Sequence, residues 1–130
     1  MSTDYIPGTC NLGPQEIRSR QVVALFGGAL TIISALTLIL TDQNKSARFS
    51  IFIPAAIFAI GFIQSRSKFC LAYGFAGTFN FGKLGQVSKV ASAEDRRADR
   101  KTAGLIFVKA IAWAAVITAV FYALPLYMLL

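Results

Sequence analysis

The sequence contains no histidine, and charged residues of any kind make up only 15% of it. Without histidine, the chain cannot form a His-ligated haem or zinc site, a Ser-His-Asp triad or a Cys-His nucleophile pair. An average soluble domain carries about 25% charged residues. The high hydrophobic fraction, 55%, excludes a disordered chain. We therefore predict a protein that is not an enzyme and that holds no cofactor and no metal.

The hydrophobic residues are concentrated in three long blocks. Uncharged residues run over 22–40, 49–63 and 110–130. A helix needs about 20 apolar residues to cross the roughly 30 Å core of a bilayer. The pattern predicts one all-α integral membrane domain over residues 1–130, with transmembrane helices at 22–40, 49–63 and 105–130. The second block is short, so a re-entrant hairpin is an alternative there.

Capping residues predict where the helices begin and end. Pro14 with Glu16 two residues later is typical of a helix start, which places the beginning of the first helix before the apolar block. Ser92 followed by two acids predicts that the third helix begins at Ala93. Pro125 should kink or end that helix.

Basic residues outnumber acidic ones by 13 to 6, and they are unevenly distributed. Most of them lie in the N-terminal segment, 1–21, and in the connection 64–104, whereas the opposite loop carries Lys45 and Arg48. Basic loops stay in the cytoplasm. We therefore expect an inner (plasma) membrane protein with a cytoplasmic N-terminus and an outside C-terminus. The long apolar blocks favour membrane lipids over nucleic acid as partners of the positive charge.

The cytoplasmic connection contains an unusual stretch, residues 69–85, in which aromatic residues alternate with glycines. Glycine breaks regular helix, and the aromatics are too apolar for a free loop. We predict an interfacial segment. The alternative is a docking surface for a lipid-like ligand or a partner. The candidate docking residues are Arg66, Lys68, Phe69, Tyr73, Phe75, Phe79, Phe81 and Lys83.

Residues 94–101 mix acidic and basic side chains at the predicted start of the third helix. Neighbouring opposite charges on a helix stabilise it by about 0.2–0.5 kcal/mol a pair. This pattern predicts a solvated, self-paired helix start in which Asp99 balances nearby basic residues.

Small residues recur along the three predicted helices at the spacing that lets helix backbones approach closely in lipid. The candidate packing residues are Gly27, Gly28, Ala55, Ala59 and Ala115. We expect a small non-enzymatic membrane protein that packs as a homo-oligomer or as an accessory subunit of a larger membrane complex. A minimal oligomeric transporter of lipids or small molecules is an alternative, based on Lys109 and the hydroxyl groups of Thr31, Ser34 and Thr37.

The two cysteines, Cys10 and Cys70, precede the first span and follow the second. The predicted topology puts both near the cytoplasmic surface, where a structural disulfide is disfavoured. The simplest interpretation is two small interfacial hydrophobic residues. A thiol-based sulfur or redox carrier is the alternative, because Arg66, Lys68 and the start of the first helix could activate a thiol.

The first half of the chain, residues 10–77, resembles the YgaP-like two-helix membrane domain. The resemblance rests on a glycine-containing first span, a second span ending near Gly61, and the motifs Asn11-Leu12-Gly13, Glu16, Arg20, Phe69-Cys70 and Tyr73-Gly74. That domain occurs alone or fused to cytoplasmic rhodanese domains, so the resemblance implies a sulfur-related context. The chain departs from the pattern at Leu71, where a proline often follows the cysteine, and in having a third span.

Overall fold

The computed structural model describes residues 5–41, 43–82 and 87–125, which are mostly helical. The helices are α1 (Pro14–Leu40), α2 (Phe52–Ser67), α3 (Leu71–Ala76) and α4 (Ala93–Ala123), and a 3-10 helix over Lys45–Ile51 leads into α2. A two-residue strand, β1 (Thr78–Phe79), pairs antiparallel with β2 (Ser88–Lys89). The prediction of an all-helical chain is therefore correct except for this short ladder.

Three helical segments are long and apolar enough to cross a membrane: Pro14–Leu40, Lys45–Ser67 and Ala93–Ala123. The second is longer than the expected 49–63, because polar residues on both sides of the apolar block continue the helix. It runs through Pro54 without reversing, so it is not a re-entrant hairpin. Pro54 is tolerated because it lies in the first turn of α2, where its missing N–H costs no internal hydrogen bond.

The helix ends follow the capping signals. Pro14 occupies the first position of α1. The Ser92 hydroxyl accepts a hydrogen bond from the backbone N–H of Asp95 at 3.3 Å and caps α4. Helix α4 ends at Ala123, with Leu124 as its C-cap directly before Pro125. The predicted starts of the first and third helices are confirmed, and α4 ends before Pro125 as its sequence signal indicates. The predicted third span is longer, and residues 126–130 lie outside the described part of the chain.

Helix α2 lies between the other two long helices and packs against both, whereas α1 and α4 barely touch. The α1–α2 contact is close enough to exclude side chains. A Cβ atom on Gly61 would lie 2.6 Å from the backbone nitrogen of Ala24, and one on Gly27 would collide with the backbone of Phe58. Gly28 lies beside the Phe58 ring. These glycines allow the two backbones to meet.

Buried alanines make the α2–α4 contact. Ala55 and Ala59 on α2 are buried, as are Ala110 and Ala114 on α4. Ala115, which the sequence indicated as a packing residue, is exposed because α4 turns the neighbouring Ala114 towards α2.

At the end of the bundle that carries the Lys45–Ile51 turn, one arginine fastens the end of α4. The Arg48 guanidinium donates hydrogen bonds to the carbonyl oxygens of Tyr122 at 2.8 Å and Leu124 at 2.9 Å. The Phe49 ring stacks on that of Tyr122, with centroids 4.5 Å apart. A basic side chain thus satisfies carbonyl groups that a helix leaves without partners at its C-terminus.

Candidate functional site

The other end of the bundle carries a compact polar structure. It consists of residues 5–13, 64–82 and 87–102, together with Glu16 and Arg20 of α1, and we call it the polar cap. The N-terminal segment joins the rest of the cap through its backbone: Asn11 and Leu12 donate to the carbonyl oxygen of Lys68, at 3.1 and 3.3 Å. Lys68 adopts a left-handed conformation, with φ of 55°, as it ends α2. This turn directs the chain from α2 back across the N-terminal segment.

The Asn11 side chain binds the backbone of Cys70. The Asn11 Oδ1 accepts a hydrogen bond from the Cys70 N–H at 2.7 Å, and the Asn11 Nδ2 donates to the Cys70 carbonyl oxygen at 3.2 Å. Asn11 is fully buried. Gln64 acts in the same way on the next residue, since its Oε1 accepts from the Leu71 N–H at 2.9 Å. Two buried amides therefore fix the start of α3.

The Arg20 guanidinium lies at the centre of the cap. Its Nη2 is 3.3 Å from the Glu16 Oε2 and donates a hydrogen bond to the Cys70 Sγ, also at 3.3 Å. The guanidinium carbon lies 5.8 Å from the centre of the Tyr73 ring. Burial, followed by the negative charge of Glu16 and a hydrogen bond to it, raises the pKa of the Tyr73 phenol. One cation thus contacts a carboxylate, a thiol and an aromatic ring.

Two Asn-x-Gly segments run side by side in the cap. Leu12 and Asn80 form a parallel bridge, in which Gly13 donates to the Asn80 carbonyl at 2.7 Å and Asn80 donates to the Asn11 carbonyl at 3.0 Å. The Asn80 amide also donates to the Glu16 Oε1 at 3.2 Å. A Cβ atom on Gly13 would lie 2.7 Å from the Phe81 Cα, so the close pairing requires glycine there.

Asp99 attaches the N-terminal segment to α4. It is fully buried, and its carboxylate accepts hydrogen bonds from the Tyr5 hydroxyl at 2.6 Å and from the Gly8 N–H at 2.7 Å. The Thr102 hydroxyl adds a bond to the Gly8 carbonyl at 2.6 Å. Burial, followed by the hydrogen bond to Asp99 and its charge, raises the pKa of the Tyr5 phenol. The prediction of a solvated, self-paired Asp99 is wrong, because its partners come from the other end of the sequence.

Both cysteines belong to the cap. Cys10 and Cys70 are free thiols, with exposed fractions of 7% and 3%. The Cys10 Sγ lies 3.7 Å from the Leu12 carbonyl oxygen, whereas Cys70 has the Arg20 contact. Among the residues that the structure describes, no three cysteine or carboxylate side chains gather where they could hold a metal ion.

The aromatic residues that were predicted to form a docking surface lie in different environments. Phe69 is fully buried against Ala103 and Ile106, so it is a core residue and not part of a surface. Tyr73, Phe79 and Phe81 are half-buried, and Phe75 is exposed. Phe79 stacks on Tyr5 with ring centroids 4.8 Å apart. The expected break at Gly74 does not occur: it lies inside α3, where a Cβ atom would come within 2.7 Å of the Phe69 ring.

The basic docking residues lie at the edge of the cap. Arg66 and Lys68 line a groove between the beginning of α1 and the end of α2. Lys83 lies outside the described residues. Of the hydroxyl groups considered for transport, those of Thr31 and Thr37 bond the carbonyl oxygens one turn earlier in α1, at 2.7 and 2.8 Å.

No role was expected from the sequence for the cap residues Gln64 and Asn80, and a different role was expected for Asp99. A local signal existed for Asn80, because Asn11-Leu12-Gly13 and Asn80-Phe81-Gly82 share the pattern Asn-x-Gly. Comparison with known protein families, curated proteins and solved structures finds no match for this chain. The resemblance of residues 10–77 to the YgaP-like domain stays a prediction.

Proposed function

We propose that this chain is a small non-enzymatic protein of the inner (plasma) membrane, which crosses the bilayer with α1, the Lys45–Ser67 segment and α4. The polar cap lies in the cytoplasm and the C-terminus lies outside. Charge supports this orientation. Most of the described basic residues lie in or beside the cap, whereas the opposite end has Lys45 and Arg48. The positive-inside rule assigns the more basic end to the cytoplasm.

The surface of the bundle supports a packing role. Helix α4 carries an exposed row of alanines, Ala112, Ala115, Ala119 and Ala123. At 100° a residue, this row lies on the side of α4 opposite the buried Ala110 and Ala114. Small residues on a lipid-facing surface give a second helix room to approach the backbone. This row is the observation on which the proposal depends.

The proposed occupant of the alanine row is α4 of a second copy of the chain. A two-fold axis along the membrane normal brings the same row of both copies together, and a row of near-identical residues is complementary to itself. Both copies then keep the orientation that their charges favour. An accessory role in a larger complex is the alternative, with a partner helix on the same row.

The test enlarges one residue of the row. Ala115→Leu should weaken self-association in lipid vesicles by about tenfold, because an added side chain at a close contact typically costs about 1–3 kcal/mol. Ala29→Leu, at an exposed position on α1, is the matched control and should leave association unchanged. Single-molecule photobleaching across a range of protein-to-lipid ratios measures the equilibrium.

A wild-type chain that stays monomeric at every protein-to-lipid ratio would contradict self-association. The accessory role, which needs a partner protein, then predicts a separate result. Ala115→Leu must release a stoichiometric partner from the native membrane complex, and Ala29→Leu must retain it.

One contact favours a second candidate function, thiol-based sulfur transfer. Arg20 donates directly to the Cys70 sulfur, which supplies positive charge beside a nucleophile. In this reaction, the Cys70 thiolate attacks the outer sulfur of a low-molecular-weight persulfide. The donor S–S bond breaks, the donor leaves as a thiolate, and Cys70 carries the persulfide. Because Cys70 is only 3% exposed, the cap must open for the transfer.

Mass spectrometry after incubation with cysteine persulfide tests this candidate. The wild-type chain should gain one sulfur at Cys70, Arg20→Gln should gain it more slowly, and Cys10→Ser should match the wild type. Full biological function in the Cys10→Ser/Cys70→Ser chain would exclude a carrier that depends on either thiol.

A further inference from the structure

A basic groove lies at the edge of the polar cap, and its charged side chains make none of the cap hydrogen bonds described above. It has a volume of about 530 Å³ between the first turns of α1 and the end of α2. Three cations and two neutral polar side chains line it, together with Pro14 and Ile17. These polar residues are Arg18, Gln21, Ser65, Arg66 and Lys68. We call this feature the basic groove.

The three cations of the basic groove lack acidic partners among the described residues. Glu16 is buried and pairs with Arg20, and Asp99 accepts from Tyr5 and Gly8. The remaining described carboxylates, Glu94 and Asp95, lie in the first turn of α4. Within the described part of the chain, the groove therefore concentrates positive charge without a counterion.

The surface turns apolar directly below these cations. Arg18 lies one turn before the uncharged block of α1, which begins at Val22, and Val22 is 59% exposed. On α2, the Arg66 guanidinium lies 5.9 Å from the centre of the Phe62 ring, which is 48% exposed. In the proposed membrane orientation, the groove is at headgroup depth and the exposed Val22 and Phe62 face the acyl chains.

The floor of the basic groove is closed. One turn deeper than Gln21 and Ser65, the α1 and α2 backbones meet at Ala24 and Gly61, where even a Cβ atom would be too close. A ligand can therefore enter only to headgroup depth, and any apolar chain it carries must run outside the bundle, along Val22 or Phe62. An amphipathic anion fits this surface better than a small hydrophilic one.

We propose that the basic groove binds the phosphate headgroup of one anionic glycerophospholipid. Arg18, Arg66 and Lys68 bind the phosphate oxygens by charge-assisted hydrogen bonds, Gln21 and Ser65 offer neutral donors to the rest of the headgroup, and the acyl chains lie on the apolar flanks. The inference relies on the proposed membrane placement but not on self-association through α4.

Native mass spectrometry of the full chain tests the proposal. The detergent-solubilised protein is mixed with equal amounts of phosphatidylglycerol and phosphatidylcholine that have identical acyl chains. The wild type should retain one phosphatidylglycerol in preference to phosphatidylcholine. The triple variant Arg18→Gln/Arg66→Gln/Lys68→Gln should reduce the preference for phosphatidylglycerol by at least about tenfold. Each basic residue near an anionic headgroup strengthens binding by about fivefold.

A charge-matched control separates a site from diffuse attraction. Arg97→Gln/Arg100→Gln/Lys101→Gln removes the same charge from exposed positions at the start of α4, and it should keep the wild-type preference. Gln21→Glu places a negative charge in the groove and should lower retention, whereas Gln43→Glu, at the opposite end, should not. These single substitutions at exposed positions decide the result if either triple variant unfolds.

Three outcomes would overturn the proposal. One is a wild type without preference for phosphatidylglycerol. Another is an equal loss in the groove variants and their controls, which would mean diffuse charge attraction. The third is displacement of the lipid by millimolar inorganic phosphate, which would assign the groove to free phosphate. Failure of the protein to enter vesicles would instead contradict the membrane placement itself.

Discussion

A pair of hydrogen bonds joins the Asn11 side chain to the backbone of Cys70. The Asn11 side chain accepts from the Cys70 N–H at 2.7 Å and donates to the Cys70 carbonyl at 3.2 Å, as the backbone of a neighbouring strand would. The two residues are separated by the whole of α1 and α2. This contact closes the chain into a loop around the α1–α2 hairpin. It also fixes the backbone of the residue whose thiol faces Arg20.

The first prediction concerns this contact. Asn11→Ala leaves the buried Cys70 N–H without a partner, which costs about 1–3 kcal/mol. It also removes one of the two hydrogen bonds to the Cys70 carbonyl, which keeps the bond from the Gly74 N–H at 2.9 Å. We expect the free energy of unfolding to fall by about 2–4 kcal/mol. Denaturant titration in detergent micelles measures the loss. Asn44→Ala, at an exposed residue whose side chain makes no cap hydrogen bond, is the control; equal effects would contradict the role of Asn11.

The second prediction concerns the α1–α2 contact. Gly61→Ala should destabilise the chain by about 1–3 kcal/mol, because the added methyl group meets the Ala24 backbone and forces the helices apart. Gly104→Ala is the matched control: no atom lies within 4 Å of its Cβ position, and alanine is the better helix former. It should be neutral or stabilising by up to about 1 kcal/mol. The same loss in both variants would refute close helix contact.

The third prediction concerns the attachment of the N-terminal segment. Asp99→Ala removes the acceptor of the Tyr5 hydroxyl and the Gly8 N–H, and we expect a loss of about 2–4 kcal/mol. Release of residues 5–12 should also expose Cys10, so maleimide should modify it faster. Glu94→Ala, at an exposed acid in the first turn of α4, serves as the control. Unchanged Cys10 labelling in Asp99→Ala would show that other contacts hold the segment.

The fourth prediction is a loss of stability at alkaline pH. The folded state raises the pKa of Tyr5 and of Tyr73, so it favours the protonated phenols. Their contribution to stability is complete below the ordinary phenol pKa of about 10 and is lost as the pH rises through the higher folded values. The thermal unfolding midpoint should fall above about pH 10. Tyr5→Phe/Tyr73→Phe should reduce the fall of the unfolding midpoint with pH. An unchanged fall in this variant would contradict the assignment of the pH dependence to these two phenols.

The fifth prediction concerns membrane orientation. Ser46 and Ser88 are exposed at opposite ends of the molecule, and the native thiols are buried, which keeps the labelling background low. A membrane-impermeant maleimide added to intact cells should modify Ser46→Cys but not Ser88→Cys. Permeabilised cells, in which both variants should react, are the control. Modification of Ser88→Cys from outside would reverse the proposed topology.

The long helices could be predicted because their signals are local. An uncharged run, Pro14 at the first helical position and the Ser92 cap each act within a few residues, and the structure has the helix ends that these features indicate. Helical continuation beyond the second apolar block was missed, since the polar residues that flank it are equally compatible with a loop. The three long apolar helices are therefore the part of the fold that sequence alone describes best.

The polar cap could not be predicted because its bonds connect distant residues. Tyr5 reaches Asp99, and Asn80 reaches Glu16, across one or more helices. Nothing near Asp99 distinguishes a buried acceptor from a solvated acid on a charged helix. Phe69 presents the same difficulty, because an aromatic residue beside glycines suits either an interface or a core.

The Asp99 contact sets an order of events during translation. Tyr5 and Gly8 leave the ribosome first, but the carboxylate that holds them is synthesised only after both α1 and α2. Tyr5 and Gly8 therefore lack their acceptor while α1 and α2 are being synthesised. Asn11 can bind Cys70 before α4 exists, whereas residues 5–8 have to wait for Asp99. A chain arrested between these two points therefore leaves residues 5–8 open to proteolysis.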